Sequence, residues 1–305
     1  MGMSARASLK RVGLLGGVLA ACLLAAALLV RTSVPIQLPD PLRITQSSTG
    51  QFLEVPVVTY AKGPAFSSAV SVDFVGAVHL GEKSYYDGLN RAFKEYDVVL
   101  FELVSDGDRL PERRPDQPMS LLGVFQQSLA NLLGLTFQLN EVDYSVPNFV
   151  HADLSPDELR AAMTARGESL PQLFIKLLKA SSDPAVERSL KEHGFTSANL
   201  EGINPLLVIL RGPTAEERQR IKQFMAQGLV ASDSVLKMLE GDNGFSIITD
   251  RNKAIMTALN RELVKGKRKI AIFYGVGHLP DLHQRLTAEL GFSIVAIQWN
   301  KAWNL

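Results

Sequence analysis

AVSVDFVGAVHLGEKSYYDGLNRAFKEYDVVLFELV, Ala69 to Val104, decides the fold. Its opening, AVSVDFVGAVH, is a run of β-branched and small apolar residues ending at His79, and it predicts a strand. Past His79 the period changes. Tyr86, Leu89, Phe93 and Tyr96 recur at helical spacing. DVVLFELV, Asp97 to Val104, is then a short continuous apolar run, the pattern of a strand covered on both faces. Strand, helix, strand with short connections is a βαβ unit, so its two strands are expected to be parallel.

Upstream, FLEVPVVTYA (Phe52 to Ala61) reads as a strand and KGPAFSS as a turn, which together with the strand ending at His79 predict a hairpin. Downstream, residues 105 to 265 are mostly helical in pattern. SLLGVFQQSLANLLGL, SPDELRAAMTARG, LPQLFIKLLKAS, TAEERQRIKQFMAQGLVA and TDRNKAIMTALNRELVKG all carry apolar residues at i, i+3 and i+4. Ser155-Pro156-Asp157-Glu158 and Thr214 look like helix starts. The end of the chain returns to the opening pattern: RKIAIFYGVGH as a strand, PDLHQRLTAELG as a helix with Gly291 as C-cap, FSIVAIQW as a strand. The expected fold class is α/β: a mixed sheet with two βαβ-type halves, each reading strand, GxxH, helix, strand. A large helical insertion, a cover or a lid, separates them.

The N-terminal segment reads differently. Arg6, Lys10 and Arg11 precede Val12 to Val30, 19 residues without a charge. As a helix this run is about 28 Å long, close to the thickness of bilayer hydrocarbon. The preferred expectation is an uncleaved single-pass anchor with the N-terminus cytoplasmic and the body extracytoplasmic. The alternatives are a cleaved signal, or a lipoprotein signal at Leu19-Ala20-Ala21-Cys22. The expected organisation is anchor or signal at 1–30, a proline-rich linker at 31–50 and one α/β domain at 51–305.

Composition excludes several chemistries. The chain has 305 residues and 46% apolar content, enough for a sizeable core. Lys plus Arg is 32 against 31 for Asp plus Glu, so no charge excess points to nucleic acid. Cys22 is the one cysteine, so the body has no internal disulfide, thiolate metal site or cysteine nucleophile. GxSxG, P-loop, GxGxxG and HExxH motifs are all absent.

What remains is GAVH (Gly76 to His79) and its echo GVGH (Gly275 to His278). Both histidines leave the C-terminal end of a predicted strand, the edge where α/β sheets bind ligands. Glu102 lies near the end of the strand between Asp97 and Val104, and a carboxylate closing so apolar a run is costly unless a cation or donor meets it. Two imidazoles and a carboxylate, His79, His278 and Glu102, make a sufficient ligand set for a divalent metal such as zinc, manganese or iron. Each glycine is expected to let the backbone turn sharply. The blander reading is a histidine bonded to a carbonyl and a carboxylate that caps a helix or pairs with an arginine. Arg251 either binds an anionic substrate group or pairs with Glu102, and Asn252 either donates to an oxyanion or sits in a solvated helix start. His151 and Asp153 form a third polar cluster, site residues or ordinary turn residues.

GAVH, VLFE (Val99 to Glu102), DRN (Asp250 to Asn252) and YGVGH (Tyr274 to His278), in this order and spacing, resemble the TraB/PrgY/GumN family, which includes the TIKI membrane proteases. The resemblance spans about residues 50 to 300. It implies a mixed α/β fold of the TIKI, erythromycin esterase and ChaN-like group. For the TIKI branch it implies proteolysis dependent on Mn²⁺ or Co²⁺, with Zn²⁺ also compatible with the residues. Carried across, His79, Glu102 and His278 are metal or catalytic residues, Glu102 as third ligand or general base, and Arg251 supports them. Where the family has Glu-Arg-Asn this chain has Asp250-Arg251-Asn252. The expected function is a membrane-anchored extracytoplasmic metal-dependent hydrolase acting on a peptide or protein. The alternative is a non-catalytic protein that sequesters a peptide, haem or metal.

Overall fold

The computed structural model describes residues 36–62, 70–107, 121–169, 172, 184–192, 194–195, 200–240 and 246–305. In chain order the elements are β1 (Arg43–Ser47), β2 (Gly50–Lys62), β3 (Val70–Ala77), β4 (Leu80–Gly81), α1 (Lys83–Phe93), β5 (Val98–Phe101), α2 (Leu121–Leu133), β6 (Thr136–Phe137), α3 (Gln138–Glu141), β7 (Phe149–His151), α4 (Pro156–Ala165), α5 (Pro184–Glu192), α6 (Pro205–Arg211), α7 (Ala215–Glu240), α8 (Ser246–Val264), β8 (Lys269–Gly275), α9 (Leu279–Gln284) and β9 (Ser293–Asn304). A 3-10 turn, Val276–His278, joins β8 to α9.

The fold is α/β with a mixed sheet. Its strand order is β1-β2-β3-β8-β5-β7, with β9 also on β2. β1 pairs with Gly50–Glu54 and β3 with Val57–Lys62, while β9 runs beside Phe52–Ala61. β1 and β3 therefore follow one another along one edge of β2, and β9 takes the other. Pairings β3–β8, β8–β5 and β5–β7 are parallel, and those of β2 are antiparallel, so within this sheet β2 alone runs against the rest.

Alternation sorts the strand residues into two cores. Ala271 and Phe273 of β8 join Val75, Val99 and Phe101 on one face, where Tyr85, Tyr86, Leu89 and Phe93 of α1 and Ala226 of α7 cover them. Ile270, Ile272 and Tyr274 join Phe74 and Leu100 on the other, under Ile255, Met256 and Leu259 of α8 and Leu282 of α9. Every residue of β5 is buried, as its unbroken apolar run predicts. Each fully buried large side chain contributes roughly 1.5–3 kcal/mol.

The β2–β3 hairpin follows the sequence expectation, though its connecting turn lies outside the described residues, as does most of the helix expected over LPQLFIKLLKAS. The helix starts at Ser155 and Thr214 are both present as reciprocal caps. Ser155 and Glu158 each bond the other's backbone N–H, and Thr214 and Glu217 do the same. Gly291 adopts φ +69° and donates to the Thr287 carbonyl, as a C-cap does.

Three features differ from expectation. β8 lies between β3 and β5, so the two βαβ-type halves interleave instead of standing side by side. The insertion is not purely helical: β7 extends the main sheet from within it. Part of the stretch read as linker, RITQS, pairs as β1.

The expected single-pass membrane protein is corrected. Among the described residues no helix is long and apolar enough to cross a membrane. α7 is long, but its first turns carry Glu216, Glu217, Arg218, Arg220 and Lys222. The apolar run at residues 12–30 lies outside the described residues.

Candidate functional site

The carboxyl ends of β5, β7 and β8 supply the site. Phe101 is level with Phe273 and with His151, so Glu102, Asp153 and the Gly275–His278 turn follow side by side along one sheet edge. α8 crosses above this edge and lowers Arg251 and Asn252 onto it. Both are buried, although they open no more than the second turn of an otherwise amphipathic helix.

Arg251 is the centre of the charge network. Its Nε and Nη2 donate to Asp153 Oδ1 and Oδ2 at 2.9 and 2.6 Å, and Nη2 also donates to Glu102 Oε1 at 2.6 Å. The second Glu102 oxygen accepts the Gly275 N–H at 2.6 Å. Burial alone would raise the Glu102 carboxyl; the Arg251 charge and the Gly275 N–H, joined by His278 only where acid protonates it, outweigh burial and hold the group below the usual carboxylate range. Burial likewise opposes the Arg251 charge, and Asp153 and Glu102 more than restore it. Of the alternatives for Arg251, the structure has the ion pair with Glu102, with Asp153 as a second acceptor.

Asn252 orients His278. Its Nδ2 donates to Asp281 Oδ2 at 2.7 Å, which leaves Oδ1 facing His278 Nδ1 at 2.6 Å. This network assigns the imidazole proton to Nδ1 and the lone pair to Nε2, which stands 3.8 Å from Glu102 Oε1. Burial pushes the imidazole down to about 4, against the pull of the Glu102 carboxylate. The ring is therefore neutral at pH 7. Tyr274 packs edge-on against it at 5.1 Å and donates its hydroxyl to the Ala152 carbonyl at 2.6 Å, tying β8 to β7.

The other expected residues divide. Asp153 belongs to the network, and its side chain is fully buried. His151 does not join it: Nε2 donates to the Leu103 carbonyl at 2.6 Å and holds the chain that leaves β5. His79 is exposed, with its ring 6.4 Å from that of Phe137. The glycines act by close approach, since neither has a positive φ. A Cβ on Gly76 would meet Val55 Cγ1 at 2.7 Å and Val276 Cγ1 at 2.8 Å, and one on Gly275 would meet Glu102 Oε2 at 3.2 Å.

The ligand set expected from His79, Glu102 and His278 is not assembled among the described side chains. Among the described residues no group of three His, Cys, Asp or Glu side chains is placed to hold a metal ion. The arrangement gives the reason. Arg251 supplies the cation that Glu102 needs, both Glu102 oxygens already have donors, and His79 faces solvent.

Sequence reading missed Asp281, which fixes the Asn252 amide, and Tyr274, although YGVGH contains it. Asp281 stands three residues after His278 in the first turn of α9, a spacing that puts both on the Asn252 side. No family model matches the chain, and no curated protein matches it.

Proposed function

We propose that the chain is a hydrolase of peptide amides in which His278 is the general base. The observation that carries this reading is the Nε2 lone pair of a neutral histidine, fixed through Nδ1 by Asn252 and set beside an ionised carboxylate. Two acceptors that face each other suit a molecule with two donors, and an attacking water is one. Nε2 would take its proton, and Glu102 would stabilise the imidazolium that results. Arg251 keeps Glu102 ionised and in place. No metal enters this scheme. The peptide class rests on the resemblance to the TraB/PrgY/GumN family and its TIKI branch, and we read the mixed sheet as that group's fold.

The test is cleavage of a random peptide pool, followed by mass spectrometry. His278→Ala is expected to lower kcat/KM by about 10²–10⁴-fold, and Asn252→Ala by less. The wild-type rate is expected to fall only as pH drops toward 4, where the imidazole gains its proton. A rate unchanged in His278→Ala sinks the proposal. His278 is only 3% exposed, which favours a second reading, a non-catalytic peptide-sequestering protein. Stoichiometric peptide binding with no cleavage would select it.

A further inference from the structure

Beside the charged network lies a second polar pair, on the opposite face of the sheet, that the scheme above does not use. Gln138 opens α3 next to the His79 segment, and its backbone N–H donates to the His79 carbonyl at 2.8 Å. Its side chain is buried. Nε2 donates to the Tyr144 hydroxyl at 3.0 Å, and Oε1 is buried with no partner among the described residues. Tyr144 is buried too, with its ring 5.2 Å from that of Phe101, the residue before Glu102. Having accepted from Gln138, its hydroxyl keeps a proton to donate. Burial holds the phenol protonated, and the nearby Glu102 carboxylate adds to that.

An orphaned acceptor is costly, and apolar side chains of the same shape at both Gln138 and Tyr144 would avoid the cost. A glutamine kept there with one end unmet is suited to a partner that arrives from outside. We infer that Gln138 and Tyr144 form an amide-reading subsite, in which Oε1 accepts a substrate peptide N–H and the Tyr144 hydroxyl donates to a substrate carbonyl. Rotating the Gln138 amide exchanges the two roles and still reads one N–H and one C=O. The choice of a peptide as ligand rests on the function proposed above. The pair lies by Phe101 and the His79 segment, across the strand-end edge from Glu102.

The experiment uses the full ¹⁵N-labelled chain and the probe N-acetyl-Ala-Ser-Ala-Ser-amide, alongside an analogue with one internal amide replaced by an ester. The Gln138 side-chain resonances, assigned by their loss in Gln138→Met, are expected to move on titration with the peptide. Gln138→Met and Tyr144→Phe are each expected to weaken binding about tenfold. The double variant Gln138→Met/Tyr144→Phe is also expected to raise the unfolding midpoint, because it removes the orphan together with the hydroxyl that Gln138→Met alone leaves unmet. The ester should bind more weakly than the peptide to the wild type and equally well to Gln138→Met. Unmoved resonances, or unchanged affinity in both variants, would overturn the subsite. Cleavage is followed in the same samples. Moving resonances without cleavage refute the hydrolase and leave the subsite standing. Cleavage with unmoved resonances and no effect of either variant does the reverse.

Discussion

The two GxxH stretches share a sequence pattern and have opposite fates. Gly275 is followed by a 3-10 turn that coils back and buries His278 at 3% exposure. Gly76 is followed by extended chain: β3 runs through Ala77, then Leu80–Gly81 pairs with Thr136–Phe137, and His79 is left exposed. The carbonyls along this path are tied down in turn. Tyr85 donates to that of Gly76, Tyr86 to that of Val78, and the Gln138 N–H to that of His79. What decides a motif histidine's role here is whether the backbone after it coils or stays extended. HLPD, with Pro280 preset for a first helical turn, coils at once; HLGE does not.

The largest difference between the two motifs is expected at Arg251. Arg251→Ala leaves Glu102 and Asp153 buried without their cation, and a loss of about 3–5 kcal/mol is expected in urea unfolding. Acid sharpens the contrast next. The His278 imidazole is lowered from 6.5 to about 4 in the fold, so between those values the unfolded chain binds a proton that the native chain refuses. Its contribution is complete above pH 6.5 and is lost as pH falls toward 4, up to about 3 kcal/mol. Glu102, also lowered, acts in the same direction at the acid end, contributing above its unfolded value and losing that contribution below it. Stability measured across this range should depend less steeply on pH between 6.5 and 4 in His278→Ala than in the wild type.

The glycines order the other way. Gly76→Ala forces a methyl into Val55 and Val276, with the Pro56 carbonyl at 3.0 Å, and should cost about 1–3 kcal/mol by thermal unfolding. Gly275→Ala meets the Glu102 carboxylate oxygen at 3.2 Å and His278 Cδ2 at an ordinary 3.8 Å, so a smaller loss is expected. The smallest effect belongs to His79→Ala, within about 0.5 kcal/mol of wild type and with no change in peptide cleavage. A large loss there would erase the distinction between the two motifs.

Much of this was legible before any coordinates. The apolar run of β5, the hairpin and the caps at Ser155 and Thr214 depend on local pattern. Glu102 stood out because a charge ends an apolar strand, and its pairing with Arg251 was one of two readings of that residue. Strand order was not legible, because β8 enters between β3 and β5 through pairing over a long sequence separation. β7 has three residues, too few for a period to show. Asn252 was read as an oxyanion donor or a solvated residue; it is fully buried and aligns His278, a role set by Asp281 on another helix. Gln138 and Tyr144 carry no motif, and only the unmet acceptor draws notice to them.

β2 is the long antiparallel strand with neighbours along both sides. The strand on its far side, β9, is translated after everything else in the sheet. Until Ser293–Asn304 leave the ribosome, the nascent chain has β2 open along one full edge, with Leu53, Val55 and Val58 waiting for cover. The sheet therefore cannot be completed during most of its own synthesis. That interval, and not the finished fold, is when a chaperone would have most to hold.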